Sequence, residues 1–147
     1  MMRRKDVGLK IWNALHRTLY TVTGGKRGGV FLGKPVVELT TVGAKSGRQR
    51  TVLLTSPGYF EGDPVIVASY AGDDRYPAWY HNLLANPDVE IRRLDSGLRE
   101  SRRARVLSSE QRAVLWPQLK REVKQYRQYE LRTTREIPII VLEPITV

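Results

Sequence analysis

The stretch PVVELTTVGAKSGRQRTVLLT, Pro35 to Thr55, places two runs of β-branched and leucine residues on either side of a polar turn. Pro35 to Val42 reads as a strand whose end is marked by Gly43. Gly43 to Arg48 carries too many flexible and polar residues to extend it, and Gln49 to Thr55 resumes the strand pattern. Two strands joined by so short a turn can only pair antiparallel. The turn itself, with lysine, serine and glycine at positions 45, 46 and 47, is the first candidate site.

Working outward from this hairpin, Pro57 to Phe60 continues as strand, Glu61-Gly62-Asp63 is a hairpin signal, and Pro64 to Ser69 is a short apolar run suited to a buried strand. Gly72 to Arg75 reads as a loop before Pro77, which opens a helix from Ala78 to about Asn86. Val89 to Leu94 and Leu98 to Leu107 read as two strands around Asp95-Ser96-Gly97, with a solvated arginine face. Ser108 and Gln111 have the spacing of a capping box, and the helix they begin runs to about Gln125. Tyr126 to Arg135 is left open between helix and loop. Ile137 to Glu143 is the most strand-like run, with Pro138 favouring an edge or the strand's first residues. Upstream, Lys26 to Lys34 is a glycine-rich loop. Before it, Ile11, Trp12, Leu15, Leu19 and Val22 mark one face of a basic amphipathic helix that stops at Gly24-Gly25. Six or seven short strands interrupted by three helices do not alternate as βαβ units do. They predict a mainly β fold with some α, an antiparallel barrel with helices packed on it.

The chain has 147 residues, 41% of them hydrophobic, which is the size and core of a single domain spanning 1–147 with the helix at 1–24. With no cysteine and only His16 and His81 as imidazoles, disulfides, cysteine nucleophiles and a zinc site are excluded as working ideas, and no metal is expected. The first residues are charged rather than an apolar leader, and no run approaches the roughly 20 apolar residues of a membrane span, so a cytoplasmic protein is expected. Of the net charge of +10, residues 1 to 50 hold +9, with 11 Lys/Arg against Asp6 and Glu38. A cationic field confined to one third of the chain suggests a local anionic partner, with a solvated basic surface as the plainer alternative.

Leu39 to Arg50, then Ala68-Ser69, then Tyr76 to Pro87 (Tyr-Pro-Ala-Trp-Tyr-His-Asn-Leu-Leu-Ala-Asn-Pro) together resemble the deazaflavin-dependent nitroreductase family. His16 to Gly25, Trp116-Pro117 and Ile137 to Pro144 extend the resemblance in order along most of the chain. It implies a split β-barrel related to the flavin mononucleotide-binding oxidoreductases, and a reductase that passes a hydride from reduced coenzyme F-420, an 8-hydroxy-5-deazaflavin, to an electron-poor acceptor: a quinone, an activated enone or a nitro compound. The coenzyme is anionic along its phosphodiester and oligoglutamate tail, which fits the basic first third.

Lys45, Ser46 and Gly47 suit a phosphate, since glycine permits close backbone approach, serine donates a hydroxyl and lysine brings a point charge. Arg48 and Arg50 stand close enough to add to it, and Ala44 stands where many relatives carry arginine. This is no P-loop, because the required glycine spacing is missing. By resemblance, Ala68, Ser69 and Tyr70 lie beside the deazaflavin ring, with tyrosine at 70 in place of the lysine of some relatives. Pro77, Ala78 and Trp79 offer free helix amides and a flat apolar ring to the same coenzyme, with a core tryptophan as the alternative. Tyr126 and Tyr129 would share one helix face, and by the same resemblance they are candidates for the substrate side and for the proton donor, against the alternative of two tyrosines packing a helix on the barrel. Thr55 and Ser69 complete the candidate substrate pocket.

Two rivals stand beside this expectation. One keeps the fold with flavin mononucleotide as cofactor, and the other is a non-catalytic basic module for anionic lipid or nucleic acid. Against nucleic acid, the basic third lacks interleaved aromatics and any helix-turn-helix or zinc signature. The N-terminal helix either seals a core or makes peripheral contact with a membrane. The expected partner is a small-molecule acceptor, and the expected state is a monomer or weak homodimer.

Overall fold

Short connections between strands dictate antiparallel pairing, and every strand pair in the sheet is antiparallel. The computed structural model describes residues 30–31 and 33–145. Its strands are β1 (Val30–Phe31), β2 (Lys34–Val42), β3 (Gln49–Thr55), β4 (Gly58–Phe60), β5 (Asp63–Val67), β6 (Asp88–Arg93), β7 (Arg99–Val106) and β8 (Ile139–Pro144). Its helices are α1 (Ala78–Ala85), α2 (Ser109–Glu122) and α3 (Gln125–Arg132), with a 3-10 turn at Tyr70–Gly72. The sheet order is β1-β2-β6-β7-β8-β5-β4, with β3 paired to β2 beside that path. The mainly β split barrel holds. The helix expected over 1–24 and its glycine stop lie outside the described residues.

Three local expectations change. The glycine-rich stretch before Lys34 contributes β1, so the described strands number eight instead of six or seven. Val30 pairs with Pro35 and Phe31 with Lys34 across a turn whose Gly33 has φ +75°, a backbone state that glycine adopts without penalty. The helix begun at Ser108 ends at Glu122, not near Gln125, because Val123 turns extended (φ −123°, ψ 94°) and tucks into the core, after which α3 resolves the ambiguous segment as helix. Its capping box is present, with Ser108 Oγ accepting from the Gln111 amide and Gln111 Oε1 from the Ser108 amide. Finally, β8 is no edge strand, since it lies between β7 and β5. Pro138 stands just before it, where the missing N–H removes no ladder bond and its carbonyl accepts from the Ala68 amide at 3.0 Å.

Strand residues alternate between two faces, and each face of this sheet has its own core. Val37, Leu39, Ile66, Val89, Ile91, Ala104, Ile140 and Leu142 fill the inner face, and Trp79 and Leu83 of α1 close it. On the other face of β5 and β8, Val65, Val67, Ile139 and Val141 take Leu115, Trp116, Leu119, Val123 and Tyr126 of the helical layer. Being covered on both faces is why Ile139 to Leu142 is continuously apolar instead of alternating. A smaller group, Val36, Leu53 and Leu94, lies on the outer face of β2, β3 and β6.

Candidate functional site

The β2–β3 turn is closed by its own backbone. The Gly43 amide donates to Arg48 O at 2.7 Å and the Gly47 amide, at φ +70°, to Gly43 O at 2.9 Å. A Cβ at Gly43 would lie 2.5 Å from Ser46 Oγ, so any side chain there would displace that hydroxyl. Ser46 Oγ accepts from the Arg48 amide at 3.2 Å, which orients the hydroxyl and leaves its proton to donate outward. The amides of Lys45 and Ser46 donate to no group among the described residues, and Lys45, Arg48 and Arg50 are exposed and in no ion pair there. Unpaired amides beside three cations make a seat for an anion.

This turn is fastened to α1. Asn82, 8% exposed, accepts from the Ala44 amide through Oδ1 at 3.0 Å and donates through Nδ2 to Thr41 Oγ1 at 3.1 Å. Asn86 Nδ2 reaches Val42 O at 3.5 Å. Arg50 pairs opposite Thr41 in the β2–β3 ladder, so it leaves the sheet on the face that carries α1. At the start of α1, Pro77 is the N-cap with no side-chain cap bond, and the amides of Ala78 and Trp79 donate to no group among the described residues. Ala78 is exposed, whereas Trp79 is 8% exposed and belongs to the inner core with Ala68. The packing alternative therefore accounts for most of the Trp79 ring.

Between the end of β5 and α1 the chain turns sharply. Tyr70 and Ala71 adopt φ +47° and +53° and Gly72 φ +80°. Gly72 lies against α3 so closely that a Cβ would stand 2.8 Å from Tyr129 O. Ser69 and Tyr70 thus lead into a turn packed against the helix that carries Tyr129. The Tyr76 and Tyr80 rings stack at 4.9 Å, and burial, then the Tyr76 neighbour, raises the Tyr80 phenol above its ordinary range.

Two expected residues are not brought to this place. Tyr126 is 7% exposed and stacks on Trp116 at 5.5 Å, and burial pushes its phenol far above the ordinary range of about 10. It is a packing residue, whereas Tyr129, at 6.3 Å from it, remains partly open. Thr55 pairs with Val36 and shares the outer face with Leu53, while Val52 and Leu54 take the inner one. A strand's period of two sends Thr55 to the face opposite Val52 and Leu54 and away from α1.

Sequence reasoning missed Arg135. Its Nη2 donates to Ala68 O (3.1 Å) and Ser69 O (3.0 Å), and its Nε to Asp73 O (2.9 Å). The only local signal is a charge set two residues before a buried apolar run. Among the described residues no cluster of His, Asp and Glu could hold a metal ion.

The model of a family described as F-420H(2)-dependent quinone reductase matches residues 12–144. An F-420H(2)-dependent quinone reductase of Mycobacterium tuberculosis is 38% identical over 141 residues, covering 94% of this chain and 93% of the relative. Among solved structures, an F-420-H2 dependent reductase called FDR-A superposes with a TM-score of 0.64 at 37% identity, over 74% of this chain and 94% of that one. A chain described as a domain-swapped dimer superposes with a TM-score of 0.66 at 35% identity, over 91% of this chain and 98% of its own. The haem storage protein HutZ from Vibrio cholerae, at 14% identity and a TM-score of 0.57, shares the fold alone.

Proposed function

The chain belongs to the F-420H(2)-dependent quinone reductase family, and from that premise we propose that its coenzyme lies along the face shared by the Gly43–Arg48 turn, the start of α1 and the Ala68–Tyr76 segment. The protein is an oxidoreductase and coenzyme F-420 is its cofactor. Its relatives are named for quinones, and a quinone is the acceptor proposed here, ahead of an enone or nitro compound.

The residues fit such a coenzyme. The turn offers two unpartnered amides, the Ser46 hydroxyl and the charges of Lys45, Arg48 and Arg50 to a phosphodiester and acidic tail. Gly47 adds no bulk, and a Cβ there would meet nothing within 4 Å. Bound on this face, reduced F-420 supplies a hydride to the acceptor. The chain's own task is then to orient and to move a proton. Ser69 and Tyr70 present the polar end of β5 to the ring, the free amides of Ala78 and Trp79 favour negative charge there, and Tyr129 or water protonates the reduced acceptor.

The observation that carries this reading is the Thr41–Asn82–Ala44 chain of hydrogen bonds, which binds the cationic turn to the helix that closes the inner core. The test is a fluorescence titration with oxidised F-420, followed by mixing with the reduced form and a soluble naphthoquinone. Saturable binding and quinone-dependent return of oxidised-coenzyme absorbance are expected. A protein that binds flavin mononucleotide instead, or neither, sinks the reading. The domain-swapped relative supports self-association here too, to be read by sedimentation. No helix among the described residues is long and apolar enough to cross a membrane, and we take the cytoplasm as the place of action.

A further inference from the structure

We infer that Arg135 is a positioning residue for hydride transfer: its guanidinium fixes the course of the chain from Ala68 to Tyr76, and with it the wall presented to the coenzyme ring. The inference rests on the coenzyme site proposed above.

The chain must leave β5 at Ala68 and enter α1 at Ala78, and it does so through left-handed backbone at Tyr70 and Ala71. L-residues with side chains disfavour that region, so such a turn persists only where its surroundings impose it. Within the turn Ser69 O and Tyr70 O accept from the Gly72 and Asp73 amides, and the carbonyls beyond the strand ladder keep lone pairs for outside donors. One planar fork meets both needs. Arg135 bonds Ala68 O and Ser69 O at the start of the turn and Asp73 O at its end, so a single side chain pins both limbs. Arg132 adds one bond, from Nη1 to Ala71 O at 3.1 Å.

The same guanidinium reaches α1. Its Cζ lies 4.6 Å from the centroid of the Tyr76 ring, which in turn stacks on Tyr80. Arg135 Nη1 is buried with no hydrogen-bond partner among the described residues, leaving the aromatic face to meet that side of the charge. No carboxylate pairs with Arg135 among the described residues. Asp73 is held by Arg75, from Nε at 3.1 Å, so Arg135 is committed to carbonyls and a ring. Lysine has the charge but lacks donors spread in a plane, and it cannot span these three oxygens at once.

The test compares Arg135→Lys and Arg135→Gln with the parent chain. Oxidised F-420 should bind within about threefold of the parent, because the anion seat at Lys45 to Arg50 is untouched, while kcat with a naphthoquinone falls about tenfold or more, as a small misplacement of reacting groups produces. Hydrogen exchange at the Gly72 and Asp73 amides should quicken in both variants, with β5 and β8 unchanged. Wild-type turnover in the variants, or a rate loss matched by an equal loss of F-420 affinity, overturns the inference. So does failure of both variants to fold, since a residue of the fold alone would then account for Arg135. If the parent chain itself fails to oxidise reduced F-420, it is the coenzyme reading that falls, and the exchange measurement alone decides whether Arg135 holds the turn.

Discussion

Asn82 Oδ1 accepts the main-chain N–H of Ala44 across 38 residues of sequence, at 3.0 Å. The bond joins the turn that carries the cations to the helix that seals the inner core, and the same side chain ends on Thr41, which is 1% exposed. Replacing Asn82 by Ala leaves a buried hydroxyl and a turn amide without partners, a loss of about 1–3 kcal/mol. We expect Asn82→Ala to lower Tm and weaken F-420 binding about tenfold. Unchanged affinity, measured by titration, would show that the turn keeps its shape without α1.

The role proposed for Lys45 and Arg50 is electrostatic, and the effect of their loss should therefore depend on salt. Charge-assisted bonds to a phosphate are the strong ones, and exposed cations are screened within about 10 Å at 0.1 M salt. Lys45→Gln and Arg50→Gln should each raise the F-420 Kd about tenfold in dilute buffer and flatten its dependence on ionic strength. An equal fold-loss at low and high salt would count against an electrostatic role.

Much of the fold was legible because local chemistry governs it. The hairpin around Gly43–Arg48, the capping box at Ser108 and the apolar run at Ile139 all follow from neighbours in sequence. The candidate turn was legible for the same reason. What escaped depends on register and burial. Thr55 differs from its neighbour Leu54 only in which face the β2 pairing gives it. Tyr126 and Tyr129 are three positions apart, some 60° around a helix, and that offset sends one ring under Trp116 and leaves the other open. Arg135 sits among Thr133, Thr134 and Glu136, a composition that reads as solvated loop. Only the return of the chain from β5 supplies the carbonyls that its guanidinium bonds.

The two tyrosines allow packing to be told apart from the proposed proton transfer. Tyr129→Phe should slow quinone reduction severalfold to about tenfold if its phenol protonates the acceptor, with F-420 binding and Tm little changed. Tyr126→Phe should leave the rate near that of the parent, because burial holds this phenol protonated and the ring is stacked away on Trp116. Tyr126→Ala, in contrast, opens a cavity under α2 and should cost about 3–5 kcal/mol of stability, by analogy with buried aromatic truncations. A Tyr126→Phe enzyme slower than the Tyr129→Phe enzyme would reverse the assignment.

Glu130 gives the helical layer a measurable pH dependence. The Trp116 indole N–H donates to Oε1 at 2.8 Å and Lys120 Nζ to Oε2 at 3.0 Å, and these contacts, with Arg112 nearby, hold the carboxyl below its usual range. A folded-state value below the unfolded one means that the ionised form is favoured by folding. Its contribution is therefore present above the unfolded carboxylate value of about 4.3 and is lost as pH falls through the lower folded value. Glu143, held low by Arg105, acts in the same direction. Glu130→Gln keeps an acceptor for the indole but gives up the pairing with Lys120. Since the Glu130 side chain is 40% exposed, solvent screens that pairing and the effect should be small. The variant should melt slightly below the parent at pH 7, and the gap should close as the pH is lowered from about 4.5 toward 3. A gap of constant size across that range, followed by thermal melts, would mean that Glu130 supports α2 and α3 through the indole bond alone.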